Sequence, residues 1–283
     1  MNPKYPIFII SKGRWQSNLT ANALEEMGVP YALVVEPNEV ELYAKNIASR
    51  HLIVTPSNLS ELGMGSIPVR SLVWEMAKYL KVERYWLMDD NIRGFERLNR
   101  NKRSKVLTGS IFRASEDFVD RYVNVALAGF EYRNFAGGAR RKKPPFRLNT
   151  RVYSCTLIKT DMPYRWRGRY NEDTDLSLRV LKDGWATVLF QCFLQNKVAS
   201  MTMKGGNTDT IYNTGDNRKE FAESLVQQHP DIVKVVWRYN RWHHEVNYKP
   251  FLNNALIRNN NVSIGSNQVN EYGMKLVNAT EVK

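Results

Sequence analysis

Four short apolar runs set the rhythm of the first third of the chain. Ile7-Phe8-Ile9-Ile10 holds no polar position and stops at Ser11-Lys12-Gly13-Arg14. Residues 31–35 stop at Glu36-Pro37, residues 51–54 at Thr55-Pro56, and Tyr85-Trp86-Leu87-Met88 at Asp89-Asp90-Asn91. Runs this short, closed by turn formers, read as strands buried on both faces, as in a parallel sheet. Helical signals lie between them. Ser17 or Asn18 caps a helix to Met27 that Gly28 and Pro30 terminate, Asn38 caps one to Ile47, and a third runs from Pro68 to Leu80. Strands alternating with helices at this spacing predict βαβ units. In such sheets ligands sit outside the carboxyl ends of the strands. The 11–14 loop, Glu36, Thr55 and Asp89-Asp90 are therefore expected around one crevice.

Beyond residue 92 the rhythm breaks. Residues 93–114 read as a basic loop and 115–130 as a helix. Residues 137–150, with Gly137-Gly138 and Arg140-Arg141-Lys142-Lys143-Pro144-Pro145, read as a basic loop without apolar periodicity. Strand character resumes over 152–158. Asn171 precedes a helix through Lys182 that Asp183-Gly184 stops, and a further strand covers 186–193. A loop over 201–216 contains Lys204-Gly205-Gly206-Asn207. A helix follows, then an aromatic and basic stretch over 233–251. The Asn- and Ser-rich tail past Leu252 is expected to be loosely held in part.

Composition narrows the class. At 43% hydrophobic residues over 283, the chain can fill a core, and extended disorder is excluded. No apolar run approaches the ~18 residues of a membrane helix, and the N-terminus lacks a signal-peptide core, so a soluble intracellular protein is expected. With two cysteines there is no disulfide framework and no cysteine-ligated zinc site. The net charge of +13 is unevenly spread: residues 1–92 carry 9 basic and 10 acidic side chains, and residues 93–283 carry 32 and 18. A neutral half beside a strongly basic half points to two surfaces, the second facing a polyanion.

Three constellations carry candidate chemistry. Paired carboxylates at Asp89-Asp90-Asn91 are costly without a cation, and hard oxygen donors at a strand end suit Mg²⁺ or Mn²⁺ on a diphosphate. Asn171-Glu172-Asp173-Thr174-Asp175 caps a helix and also offers a general base. Arg165, Arg167 and Arg169, interleaved with Tyr164, Trp166 and Tyr170, lie immediately before it. Trp242-His243-His244 holds two of the four histidines, and since adjacent side chains diverge, at most one is expected as a ligand. No dinucleotide fingerprint, P-loop, nucleophile elbow or zincin motif occurs.

These residues resemble known enzymes. A parallel sheet ending at Asp-Asp-Asn, with a later Asn-Glu-Asp before a helix, is similar to the GT-A glycosyltransferase fold. More narrowly, Ile9-Ile10-Ser11-Lys12-Gly13-Arg14, the 24–31 stretch Leu-Glu-Glu-Met-Gly-Val-Pro-Tyr, Val34-Val35-Glu36-Pro37 and Arg241-Trp242-His243-His244 resemble the phage TET-associated glycosyltransferases. The resemblance implies a GT-A-like, mixed but mostly parallel sheet flanked by helices. It implies a transferase domain over 1–252, with a nucleotide-sugar half at 1–92, an acceptor half at 93–252 and a tail at 253–283. It implies a UDP-sugar donor, a divalent metal (Mn²⁺ or Mg²⁺), and 5-hydroxymethylcytosine in double-stranded DNA as acceptor, in the cytoplasm of the infected bacterial host. Ser11, Lys12, Arg14, Glu36, Arg70 and Asp89 would bind the nucleotide-sugar, Asp90, Asn91 and His243 the metal, and Glu172 or Asp173 would act as base. Arg140, Arg141, Lys142, Lys143, Arg165, Arg167, Arg169 and Trp242 would hold DNA. Asn171-Glu172-Asp173 is similar to inverting members, and His243 with Lys249-Pro250-Phe251 to a retaining element. A GT-A enzyme for a polysaccharide or protein acceptor, a metal-dependent nuclease and a non-catalytic DNA-binding module are the competing readings.

Overall fold

The computed structural model describes residues 1–99, 102–136, 144–198, 203, 205–206 and 217–262. Strands β1 (Ile7–Ile10), β2 (Ala32–Val35), β3 (Leu52–Val54) and β4 (Arg84–Asp89) pair in parallel in the order β3-β2-β1-β4. The helices α1 (Leu19–Glu26), α2 (Val40–Ala44) and α3 (Ile67–Tyr79) connect them. The sheet continues through β9 (Cys155–Lys159), β7 (Val125–Tyr132), β10 (Ala186–Lys197), β5 (Ile92–Asn99) and β6 (Lys102–Lys105), and β8 (Phe146–Leu148) also pairs with β10. Seven of the ten strands run in one direction, and β5, β8 and β9 oppose them.

Alternation within the apolar runs splits the core into two layers. Ile7, Ile9, Leu33, Trp86 and Met88 pack with α1 and with α4 (Ser110–Val119) on one face. Phe8, Ile10, Val34, Tyr85 and Leu87 pack with α3 and with α5 (Glu172–Lys182) on the other. A run without polar positions is what a strand covered on both sides requires. A third cluster joins Leu178 and Leu181 of α5 to Leu225 of α6 (Arg218–Gln228), to Ile232 and Val233, and to Phe251. It seats the separate hairpin β11 (Val233–Arg238) and β12 (Arg241–Val246) against the domain.

Three expectations fail. Within the 137–150 stretch read as a basic loop, residues 146–148 form β8 against β10. Residues 93–114 are not a loop: β5 and β6 form a charged edge ribbon that pairs with β10 through β5 and buries Ile92 and Phe95 in the core, with Arg133 Nε donating to Glu96 Oε1 at 2.9 Å. The helix expected over 115–130 ends at Val119, and residues 125–132 form a central strand. Gly129 within it answers a packing demand. A Cβ on Gly129 would lie 2.3 Å from the Cys155 carbonyl oxygen, so β7 and β9 approach too closely for a side chain there. Elsewhere boundaries shift, and β10 runs on to Lys197, past the 186–193 expected.

Candidate active site

Because β1 to β4 are parallel, their carboxyl ends open at one edge, and a cavity of about 430 Å³ lies there. Ser11, Lys12, Arg14, Glu36, Thr55, Arg70, Asp89, Asp90, Asn91, Glu172 and Asp173 all line it, so the expected crevice residues do converge. Lys197, Arg151, Arg169, Tyr132, Tyr153, Ser154 and His244 complete the wall.

The donor-side loop is tightly held. Ser11 Oγ donates to Asp90 Oδ2 at 2.7 Å and meets the Tyr43 hydroxyl at 2.6 Å, while Arg14 ion-pairs with Asp90 Oδ1. Glu36 accepts from the Ser60 amide (2.6 Å), the Ser60 hydroxyl (2.7 Å) and Lys12 Nζ (3.2 Å). Gly205 and Gly206 cover this loop: Arg14 Nη2 donates to the Gly205 carbonyl at 3.0 Å, and the Gly206 amide to Lys12 O at 2.9 Å. A Cβ on Gly205, which has φ +83°, would fall 2.5 Å from the Gly13 carbonyl oxygen. Only glycine allows both that backbone angle and that approach.

At the centre, five ionisable groups from four elements meet. Arg70 Nη2 of α3 donates to Asp89 Oδ1 of β4 at 3.0 Å, and Lys197 Nζ of β10 donates to Asp89 Oδ2 at 2.8 Å. Arg70 also faces Glu172 Oε1 and Asp173 Oδ1 of α5, each at 3.5 Å, and stacks at 5.0 Å on the Trp166 ring. Burial raises the Asp89 carboxyl, but Lys197 and Arg70 outweigh it and hold it well below the ordinary carboxylate range. Asp173 goes the other way. Burial, with Glu172 and Asp89 nearby, pushes it up to about 7 against the pull of Arg70 and Lys197. Its Oδ1 accepts no hydrogen bond among the described residues. Glu172 Oε1, by contrast, accepts from the Ser66 hydroxyl at 3.1 Å. Asp173 Oδ1 is thus a buried carboxylate oxygen that faces Arg70 but accepts no hydrogen bond among the described residues.

This donor set does not fit the expected divalent cation. Both oxygens of Asp89 are taken by Arg70 and Lys197, and both of Asp90 by Ser11 and Arg14. A metal ion there would stand against fixed cations within a few ångströms. Asn91 Oδ1 is buried without a hydrogen bond, but no three His, Cys, Asp or Glu side chains converge on a metal position among the described residues. His243 is turned from the cavity and accepts from Arg241 Nε at 3.0 Å, so Asp90, Asn91 and His243 are not assembled as a ligand set. Its neighbour His244 lines the cavity instead. Burial, Arg151 and His243 lower its imidazole to about 4, and the Arg151 guanidinium meets His244 Nε2 at 3.3 Å.

The three arginines before α5 separate. Arg169 reaches the cavity, Arg165 pairs with Glu75 at 2.7 Å, and Arg167 pairs with buried Asp175 at 2.9 Å. Trp242 packs edge-on against Trp237 beneath Lys219. Arg140, Arg141, Lys142 and Lys143 lie outside the described residues. Sequence reasoning missed Lys197 and Arg151. The polar alternation Gln195-Lys197 past the apolar part of β10 was the available signal for the first, and none marked the second.

The family model for TET-associated glycosyltransferases matches residues 5–206, and the chain belongs to that family. It is accordingly a glycosyltransferase with a nucleotide-sugar donor. No curated protein matches it. No helix among the described residues is long and apolar enough to cross a membrane.

Proposed function

We propose that this TET-associated glycosyltransferase moves the sugar of a UDP-sugar onto the hydroxymethyl oxygen of 5-hydroxymethylcytosine in double-stranded DNA, with the acceptor base turned out of the duplex. The observation that carries the reading is the meeting of Asp173, a desolvated carboxylate with an oxygen that accepts no hydrogen bond among the described residues, and the cations Arg70 and Lys197 in one cavity. The acceptor oxygen attacks the anomeric carbon. The bond from that carbon to the diphosphate oxygen breaks, its electron pair stays on the diphosphate, and the hydroxyl proton passes to Asp173. Arg70 and Lys197 stabilise the charge that develops on the leaving diphosphate. Asp89 keeps both cations in position, and Ser11, Lys12, Arg14 and Glu36 form the nucleoside end.

A single base implies one displacement and inversion at the anomeric carbon. The alternative, retention, draws on His243, which stands apart from this cavity. The DNA acceptor is supported by the basic excess beyond residue 92, since each neutralised phosphate adds affinity through counterion release. Arg140, Arg141, Lys142 and Lys143 would serve as a phosphate clamp, and residues 1–252 would form the working unit in the cytoplasm of a phage-infected bacterium. The test is mass spectrometry of nucleosides from hydroxymethylated DNA incubated with a panel of nucleotide-sugars. A hexose-sized mass gain on 5-hydroxymethyldeoxycytidine is expected. Transfer to a glycan or protein with none to DNA would favour the other acceptor class.

A further inference from the structure

The β11–β12 hairpin carries a feature that its own stability does not call for. Register is set by Trp237 opposite Trp242 and Arg238 opposite Arg241, which leaves Tyr239-Asn240 as a two-residue turn. Both turn residues have positive φ, 54° and 56°. This is the backbone of the tight hairpin turn that favours Asn or Gly at each position. A bulky ring at the first is an outlier that local structure alone does not explain. The ring is also not sheltered: Tyr239 is 87% exposed and Trp237 55%. Behind it the two tryptophans brace each other edge to face at 5.1 Å. Beside it Arg238 and Arg241 stand directly across the ribbon, a like-charge pairing that costs stability unless an anion lies between or near them. Glu245 offsets one of them, accepting from Arg238 Nη1 at 2.6 Å.

The hairpin also has an address. A second cavity of about 330 Å³ lies under it, walled by Arg147, Arg151, Arg238, Tyr239 and His244 among others. Arg151 and His244 line both this cavity and the one holding Asp173, so the two adjoin. A strained, exposed aromatic ring flanked by arginines, next to a basic recess that leads to the reaction centre, matches one partner chemistry. That partner is a stacked, phosphate-linked duplex from which one base has been withdrawn.

We propose that the β11–β12 hairpin is a duplex wedge: Tyr239 enters the base stack where the acceptor base has left it, and Arg238 and Arg241 hold the flanking phosphates. The proposal rests on the reading of DNA as acceptor. Filling the gap with a ring recovers part of the stacking lost on extrusion, an advantage that exists only in a duplex.

The experiment compares transfer to one hydroxymethylated oligonucleotide, duplex and single-stranded, by wild type, Tyr239→Ala and Tyr239→Phe. Tyr239→Ala is expected to lower kcat/KM on the duplex tenfold or more, to leave the single strand within twofold, and to be rescued by Tyr239→Phe. 2-Aminopurine next to the target base is expected to gain fluorescence on binding wild type and to gain none on binding the Ala variant. The residue is exposed and contributes no core contact, so folding is preserved, and a thermal melt checks that. Equal effects on duplex and single strand, or no effect on either, overturn the wedge while leaving the DNA acceptor intact. If wild type transfers to neither form, the acceptor reading fails and the wedge falls with it.

Discussion

Replacing Asp173 with Asn tests the central carboxylate through stability and rate together. In the folded protein, burial and the neighbouring Glu172 and Asp89 carboxylates raise this group from 3.8 to about 7, with Arg70 and Lys197 opposing them. At about 1.36 kcal/mol for each tenfold in proton affinity, ionising Asp173 in the fold costs about 4 kcal/mol relative to the unfolded chain, as an upper bound. The sign follows from linkage. The raised group contributes stability that is fully present below about pH 4 and is lost as pH rises through about 7. Asn mimics the protonated carboxyl at every pH. Asp173→Asn should therefore melt like wild type near pH 4 and several degrees higher near pH 8. It should also lose a factor of 10² to 10⁴ in kcat, because the amide accepts no proton from the acceptor hydroxyl. Wild-type kcat/KM should rise with pH through about 7, and the residual activity of the variant should not. Thermal melts across pH 4–8 beside transfer rates on hydroxymethylated DNA make the measurement. A variant that melts no higher than wild type at pH 8 would refute the desolvation argument, and wild-type turnover would remove Asp173 as base.

Lys197→Met leaves Asp89 with Arg70 alone and should cut kcat/KM for the UDP-sugar about 10- to 100-fold, the range for losing a charge-assisted hydrogen bond. Steady-state kinetics with a melt as control decide it, and unchanged kinetics would leave Lys197 a structural cation. On the proposal that Arg70 and Lys197 neutralise the leaving diphosphate, transfer should persist in excess EDTA. A strict requirement for Mn²⁺ would show that the cations move aside for a metal. Asp175, fully buried and paired with Arg167, Arg179 and His229, should lose roughly 3 kcal/mol on replacement by Ala, read by urea titration. Burial raises its carboxyl, but His229, Arg167 and Arg179 hold it low, so its contribution is present at neutral pH and fades only as the pH falls through the depressed value. A loss under about 1 kcal/mol would place the network's contribution within that of ordinary surface pairs.

What the sequence determined by itself is the part governed by local pattern. Unbroken apolar runs ending in polar turns fixed β1 to β4 as strands buried on both faces, and parallel pairing then put Ser11, Glu36, Thr55 and Asp89 at one edge. Asn171 and the acids that follow marked the start of α5, and with it Asp173. Tertiary structure alone decided what each carboxylate does. Asp89 and Asp173 are the same residue type, yet one is held ionised by two cations while the other is driven towards its neutral form. That difference arises from Arg70 and Lys197, which arrive from positions 19 and 108 residues away in the chain. The same holds for the neighbouring histidines. Adjacent residues on a strand face opposite ways, and only the docking of the hairpin against α5 and α6 turns His244, not His243, to the cavity. Charge-rich β5 and Ala-rich β7 escaped the pattern because neighbouring strands, not their own composition, hold them extended. Periodicity reports which face of an element is covered. It carries no information about which distant charge will stand beside a given carboxylate, and that juxtaposition makes this cavity a site.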